Sequence, residues 1–310
     1  MLAGLVTFCL WRYGYDERRR DLQNVKYARA GSVDEAISLL KDGGPTARVL
    51  AGGTDIIVQA RERRREVRLF VDIKAIEETQ QLTFDQANGL TIGAATPCYR
   101  IYNDETVKRL YPAIVEAASV IGGTAIQGRA SLGGNLCNSG PAADSVPAMI
   151  AMQGVANIAG PSGRRSVPIE DFNTGPGRNV LQEGEFVVSL HFPTPAPNSG
   201  AAWERFIPRN EMDIAVTNAG VYVRFEGDNV ADARVCIGAV APTALLVKEA
   251  ADAIIGKPLT EETIQACGEA AKAAARPIDD MRGSIKQRKH LSSVLVQHML
   301  RKAAERARGN

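Results

Sequence analysis

The chain has 310 residues, 45% hydrophobic and 23% charged, the balance of an ordinary globular protein rather than a disordered or membrane-embedded one. Its 37 basic and 35 acidic residues leave a net charge of +2, too weak a field to point to a nucleic-acid partner. Five scattered cysteines without a CxxC pair, and three histidines outside any HExxH or GxSxG pattern, argue against a zinc site, a disulfide framework and a Ser/His/Asp triad, and fit a reducing, cytoplasmic setting.

The first apolar run, "LAGLVTFCLW", precedes the charged "RYGYDERRR". About ten apolar residues are half of what a helix needs to span a bilayer, and the basic flank and small-residue cleavage site of a signal peptide are missing. Residues 1–21 are therefore set apart as an extension of unassigned role, with the folded protein expected from Leu22, and no membrane span is expected. Ser32 and Glu35 make an S-x-x-E capping signal, and "VDEAISLLKDGG" then shows helical apolar spacing up to Gly43 and Gly44. A short amphipathic helix is predicted there. Residues 49–51 predict a buried strand, Gly52-Gly53 a tight turn, and residues 70–73 another strand. "QLTFDQANGLTIGAA" alternates around Asn88-Gly89, a strong hairpin signal. Residues 104–121 have the length and period of one helix despite Pro112, ending on Gly122-Gly123.

Residues 186–193 predict a strand and "TPAPNSG" a loop, which places a domain boundary near Ser199. The division is then 1–21, 22–198 and 199–310. Past the boundary, residues 220–240 read as a hairpin about Gly227 to Asn229, and residues 244–258 as a helix stopped by Gly256 and Pro258. Thr260 opens an alanine-rich helix, and one long basic helix runs from Ser284. The fold class is α+β, the second domain being a small sheet with helices packed on it.

The two glycine pairs, in "VLAGGTDIIV" and "SLGGNLCNSGPAAD", carry the chemistry. A Gly-Gly turn admits a ligand close to the backbone, and successive N–H groups can cradle phosphate oxygens. Two such turns could hold a pyrophosphate, with Thr54, Asp55, Ser131, Asn135 and Asp144 placed for further hydrogen bonds. The plainer alternative is that glycine pairs only terminate strands and helices. No GxGxxG follows a strand and no Walker A pattern occurs, so a bound dinucleotide would need a scaffold other than the Rossmann fold.

"VLAGGTDIIVQ", "GRASLGGNLCNSGPAADSVPAM" and "WERFIPRNEMDIAV" together resemble the FAD-binding medium subunit of the xanthine dehydrogenase and carbon monoxide dehydrogenase family of molybdenum hydroxylases. "IGAVAPTALLVKEAADAIIGKPL" and "ARPIDDMRGSIKQRKHL" resemble that family's second domain, so the likeness covers nearly everything after Leu22. It implies a two-part FAD-binding domain of the PCMH (vanillyl-alcohol-oxidase-like) type followed by a smaller α+β domain with an antiparallel sheet. It also implies non-covalent FAD. By resemblance, Val49, Leu50, Ala51, Gly52, Gly53, Thr54, Asp55 and Ile56 form the first FAD loop. Ser131, Leu132, Gly133, Gly134 and Asn135 form the second, usually written TIGGN. Ile121 lies near the ring, and Asp144, Val187 and Arg205 match further contacts. Ser131-Leu132 replaces Thr-Ile while keeping a hydroxyl and a branched apolar residue, and Gly128 and Ala130 depart from the commoner residues at their positions.

The implied function is electron transfer. [2Fe–2S] clusters on a small partner subunit pass electrons to FAD, which hands them to an external acceptor, while molybdopterin sits on a large partner subunit, in a dimer of heterotrimers. No catalytic side chain and no metal ligand is implied in this chain. Two other readings stay open: a free-standing flavin oxidoreductase of the same superfamily, and a nucleotide-binding domain without redox chemistry. Some features also have two readings. The run "RERRREVR" could dock a partner or be a solvated face. Asp279, Asp280, Arg282 and Arg288 could form a subunit contact or cap the last helix. Cys137 could be a nucleophile or a packed residue, Arg205 a flavin contact or a surface arginine, and Asp213 is read as structural.

Overall fold

The computed structural model describes residues 24–209 and 211–309; the extension assigned to residues 1–21 lies outside them. β1 (Lys26–Arg29), α1 (Val33–Gly43), β2 (Ala47–Leu50), α2 (Ile56–Arg61) and β3 (Leu69–Asp72) form the first layer. The three strands make a parallel sheet in the order β1-β3-β2. Ser32 caps α1 by accepting from the Glu35 N–H at 3.1 Å. The Glu35 carboxylate accepts instead from Gly31 N–H at 2.7 Å, so the capping signal works with its return bond one residue early.

β4 (Leu82–Asp85) and β5 (Gly89–Gly93) form the predicted hairpin, with Asp85 opposite Gly89. The connection is a three-residue loop in which the Asp85 carboxylate accepts from Ala87 and Asn88 N–H groups. After α3 (Cys98–Asn103), the single helix expected over residues 104–121 is instead two, α4 (Glu105–Leu110) and α5 (Pro112–Ala118). Tyr111, at φ −129° and ψ 51°, breaks the run because the Pro112 ring pushes the preceding residue out of helical conformation. α6 (Thr124–Gln127), α7 (Leu132–Asn138) and α8 (Ser145–Ala151) follow.

β6 (Val155–Gly160), β7 (Gly163–Pro168), α9 (Ile169–Phe172), the short pair β8 (Asn173–Gly175) and β9 (Arg178–Asn179), and β10 (Phe186–Phe192) complete this part. β10 is the centre of an antiparallel sheet ordered β4-β5-β10-β6-β7. It is buried on both faces. Phe186 and Val188 pack with Ala36, Leu40 and Val71 of the first layer, while Val187 and Leu190 join the core under α3 to α8.

The rest of the chain is a four-stranded antiparallel sheet, β11 (Ser199–Phe206), β12 (Thr217–Glu226), β13 (Asn229–Gly238) and β14 (Leu245–Leu246), with α10 (Lys248–Asp252), α11 (Glu261–Ala274) and α12 (Ile285–Gly309). β12 and β13 turn through Gly227-Asp228, with Glu226 opposite Asn229. The helix expected over residues 244–258 shrinks to α10, because Leu245 and Leu246 pair with Ile237 and Cys236 as an edge strand. Thr260 caps α11 through a reciprocal bond with Thr263. Asp279 accepts from Ile285 N–H at 2.5 Å and Asp280 pairs with the buried Arg288 at 2.7 Å, so these acids cap and brace the start of α12.

The two parts are tied through Glu116 on α5. Its carboxylate accepts from Trp203 N–H at 2.8 Å, and pairs with Arg306 and Lys302 of α12 at 2.6 and 2.7 Å. No helix among the described residues is long and apolar enough to cross a membrane.

Candidate functional site

A cleft of about 490 Å³ opens between the first layer, the α6–α7 segment and the loop leading into β10, a volume suited to a cofactor-sized ligand. The first glycine segment builds one wall. β2 ends at Leu50, Gly53 turns the chain at φ +80°, where a side chain would be strained, and α2 starts at Ile56. Among the described residues the N–H groups of Gly52, Gly53 and Thr54 have no protein acceptor. Polar backbone at a cleft without a partner is the donor array an anion can use.

The segment is braced from behind. Lys74 Nζ donates to the Ala51 carbonyl at 2.8 Å and to the Asp72 carboxylate at 2.6 Å, and the Tyr27 hydroxyl donates to Asp72 at 2.6 Å. Burial by itself would raise the Asp72 carboxyl, but the Lys74 and Tyr27 bonds outweigh it and hold Asp72 below the usual carboxylate range.

The backbone just ahead of the second glycine segment meets the first directly, and the second segment itself packs on Ala94 after β5. A Cβ on Gly52 would fall 2.0 Å from the Arg129 carbonyl oxygen, and one on Gly133 would fall 2.5 Å from that of Ala94. Only glycine permits either approach. Ser131 caps α7 by accepting from Gly134 N–H at 3.1 Å. Asn135 Oδ1 accepts from the Ser145 hydroxyl at 2.7 Å. Gln59 Nε2 donates to Asn138 Oδ1 at 2.9 Å and so links α2 to α7.

Most residues singled out in the sequence converge on this cleft. Val49, Ala51, Gly52, Gly53, Thr54, Asp55, Ile56, Ile121, Ser131, Gly133, Gly134, Asn135 and Val187 line it. Leu50 packs with Val67 and Phe70, and Leu132 is buried in the central core. Asp144 and Arg205 form a buried ion pair at 2.8 Å, with side chains 14% and 6% exposed, so Arg205 is not a surface arginine. Arg205 also donates to the Asp213 carbonyl at 3.3 Å. Asp144 Oδ1 is buried without a hydrogen-bond partner among the described residues. Burial pushes the Asp144 carboxyl up to about 6, and the opposing pull of Arg205 does not offset it.

Several lining residues were not singled out in the sequence. Gln59 lies one helical turn after Asp55, so helical spacing from the glycine loop could have located it. Arg48 and Asn179 arrive from two strands, and Arg65 and Gln182 from loops, whose local sequence says nothing of the cleft. Arg65 belongs to the "RERRREVR" run, which is otherwise mostly exposed. Cys137 also lines the cleft, and burial pushes its thiol up to about 12, leaving it a poor nucleophile. Among the described residues no cluster of three or more His, Cys, Asp or Glu is placed to hold a metal.

The Gly52-Gly53 turn and, where the sequence suggested a second turn, the first turn of helix α7 with Gly133 and Gly134 line one polar and apolar cleft, an arrangement suited to a dinucleotide without a Rossmann fold. The comparisons agree. Residues 23–195 match the family described as FAD binding domain in molybdopterin dehydrogenase, and residues 205–303 match the CO dehydrogenase flavoprotein C-terminal domain. The chain is 33% identical over 284 residues to a xanthine dehydrogenase FAD-binding subunit of Escherichia coli O157:H7, covering 91% of this chain and 97% of that one. It is 30% identical to a carbon monoxide dehydrogenase medium chain of Hydrogenophaga pseudoflava, over 90% of this chain and 96% of the other. A solved carbon monoxide dehydrogenase structure from Hydrogenophaga pseudoflava superposes with a TM-score of 0.87 over 91% of this chain and 98% of that chain, at 30% identity. Quinoline 2-oxidoreductase from Pseudomonas putida 86 gives 0.84 over the same shares at 28% identity. The chain belongs to the family of FAD-binding subunits of molybdopterin dehydrogenases.

Proposed function

We propose that this chain is the electron-transfer flavoprotein subunit of a molybdenum-containing hydroxylase or dehydrogenase. It works with a molybdopterin-binding large subunit and a [2Fe–2S] small subunit, as a dimer of heterotrimers in the cytoplasm. The observation that carries the reading is the contact of Gly52 with the Arg129 backbone, which presents both glycine segments to one cleft. FAD, when bound, supplies a redox centre that can be filled by single electrons and emptied in pairs.

The residues of the chain bind and orient it. The unpaired N–H groups of Gly52, Gly53 and Thr54, with the N-terminal turn of α7 at Ser131–Asn135, hold the diphosphate. Ile121 and Val187 give an apolar wall beside the ring. The Asp144–Arg205 pair lies outside the residues that line the cleft, and its assignment to the flavin rests on the family resemblance. The boundary between the flavin-holding domain (22–198) and the second domain (199–310) falls near Ser199, and the Glu116 clamp keeps the two in register.

The test is mild affinity purification of the tagged chain from its own host, with a visible spectrum and analysis for iron, molybdenum and FAD. Releasable FAD together with iron and molybdenum on two co-purifying chains is expected. FAD on a chain that comes alone, without metals, would refute the subunit role and leave a free-standing flavoprotein. A colourless protein that takes up no FAD would refute the flavin site.

A further inference from the structure

Arg48 on β2 and Arg65 in the turn after α2 line the same cleft. Both are half-buried, whereas the neighbouring Arg61, Arg63 and Arg64 are exposed. Among the described residues Arg48 Nη1 donates only to the carbonyls of Pro45 and Ala47, at 2.6 and 2.7 Å. Arg65 Nη2 donates to the Gly177 carbonyl at 3.2 Å. That bond also ties the arginine run to the β8–β9 turn. No carboxylate among the described residues pairs with either guanidinium. Of the three carboxylates that line the cleft, Glu185 is taken by Arg165 at 2.6 Å, and Asp55 and Glu183 form no ion pair with either arginine.

Arg65 lies close enough for its charge to act on Arg48. Burial first, and repulsion from Arg65 second, hold the Arg48 guanidinium below its ordinary value. Two like charges partly withdrawn from water and unmatched by carboxylates are an unfavourable arrangement that a bound anion relieves. Guanidinium forks suit phosphate oxygens in particular. Of the parts of a flavin dinucleotide, only the diphosphate is anionic.

We propose that Arg48 and Arg65 bind the adenosine diphosphate half of the dinucleotide through its diphosphate charge. This rests on the flavin site proposed above. Charge then adds to the glycine backbone in setting affinity, and the uncharged riboflavin end is indifferent to both arginines. The Gly177 bond gives Arg65 a second task, holding the β8–β9 turn against the segment after α2.

Equilibrium titration of the deflavinated full chain tests this, with FAD and riboflavin followed by fluorescence and ADP added as a competitor, at low and high salt. The variants are Arg48→Gln, Arg65→Gln, the double variant, and Arg65→Lys, which keeps the charge. Each glutamine substitution is expected to weaken FAD and ADP by about tenfold or more, the loss of a charge-assisted bond. The salt dependence of FAD binding should flatten, riboflavin should stay within about twofold, and Arg65→Lys should recover part of the loss. A double variant with wild-type FAD affinity and salt dependence would overturn the proposal. So would equal losses for FAD and riboflavin, or weaker ADP binding with an unchanged salt dependence, which would mean adenine stacking rather than charge. If the wild type binds neither FAD nor riboflavin, the flavin site itself falls, a result distinct from all of these.

Discussion

Alanine at Gly52 places a Cβ 2.0 Å from the Arg129 carbonyl oxygen, 2.6 Å from its carbonyl carbon and 3.1 Å from Ala130 N. Ordinary contact begins near 3.4 Å, so the methyl and the oxygen must part by 1.4 Å, the difference between 3.4 and 2.0 Å. Neither side can rotate away, since both are backbone. The Arg129 and Ala130 N–H groups are bonded to Ile126 O at 2.9 and 2.8 Å, and Ala130 O accepts from Cys98 N–H at 2.8 Å. The two glycine segments must therefore separate. Overpacking of this kind costs about 1–3 kcal/mol. For a chain of this size that lowers Tm by roughly 2–10 °C. If the same strain spoils the cradle, FAD binds about ten- to a hundredfold more weakly. Thermal unfolding of the apo chain and fluorescence titration with FAD measure the two effects separately. Gly128→Ala is the control, because a Cβ there meets nothing within 4 Å and its φ is −66°; its stability should change by no more than about 0.5 kcal/mol. A Gly52→Ala chain that holds FAD as tightly as wild type, or a Gly128→Ala chain that loses it equally, would refute the packed-turn account.

The Asp144 carboxyl sits at about 6 in the folded chain against about 3.9 when unfolded. The folded form therefore takes up its proton first. Stability contributed by this group rises as pH falls from 6 to about 4, by on the order of 2 kcal/mol, and is lost as pH rises through 6. In urea titrations across that window, Asp144→Asn should flatten the slope, and a variant with the wild-type slope would show that another group titrates. Glu116→Gln loses its pairs with Arg306 and Lys302, and about 1–3 kcal/mol of unfolding free energy is expected to go with them; an unchanged urea midpoint would show that the clamp is idle. Because the Cys137 thiol is pushed up to about 12, it stays protonated at neutral pH, and acid precipitation should release all of the flavin. Yellow colour left on the pellet would count against non-covalent binding.

The local elements were legible where their signal is local. The Ser32 cap, the Asp85–Gly89 hairpin and the Gly227-Asp228 turn depend on side chains a few residues apart, and chain connectivity brings these together whatever the rest of the fold does. The long helix over residues 104–121 was misjudged because apolar periodicity outweighed one proline whose effect falls on Tyr111, the residue before it. The helix over residues 244–258 was overextended because nothing near Leu245 and Leu246 announces that Cys236 and Ile237 are waiting to pair with them. Tertiary pairing overrides propensity in such places.

For the site, the sequence by itself determined the two glycine segments, since absent side chains and the hydroxyl and amide residues that follow them are visible letter by letter. It also determined the family, through motifs in a fixed order. Only the tertiary structure decided that Gly52 meets the Arg129 carbonyl, that Asp144 is buried against Arg205 with one oxygen unsatisfied, and that Arg48 and Arg65 face the same cleft. These are contacts between residues far apart in the chain, or charges whose meaning depends on which neighbours exclude water. A linear pattern holds neither distance nor dielectric, and both are fixed only once the sheets and helices have packed.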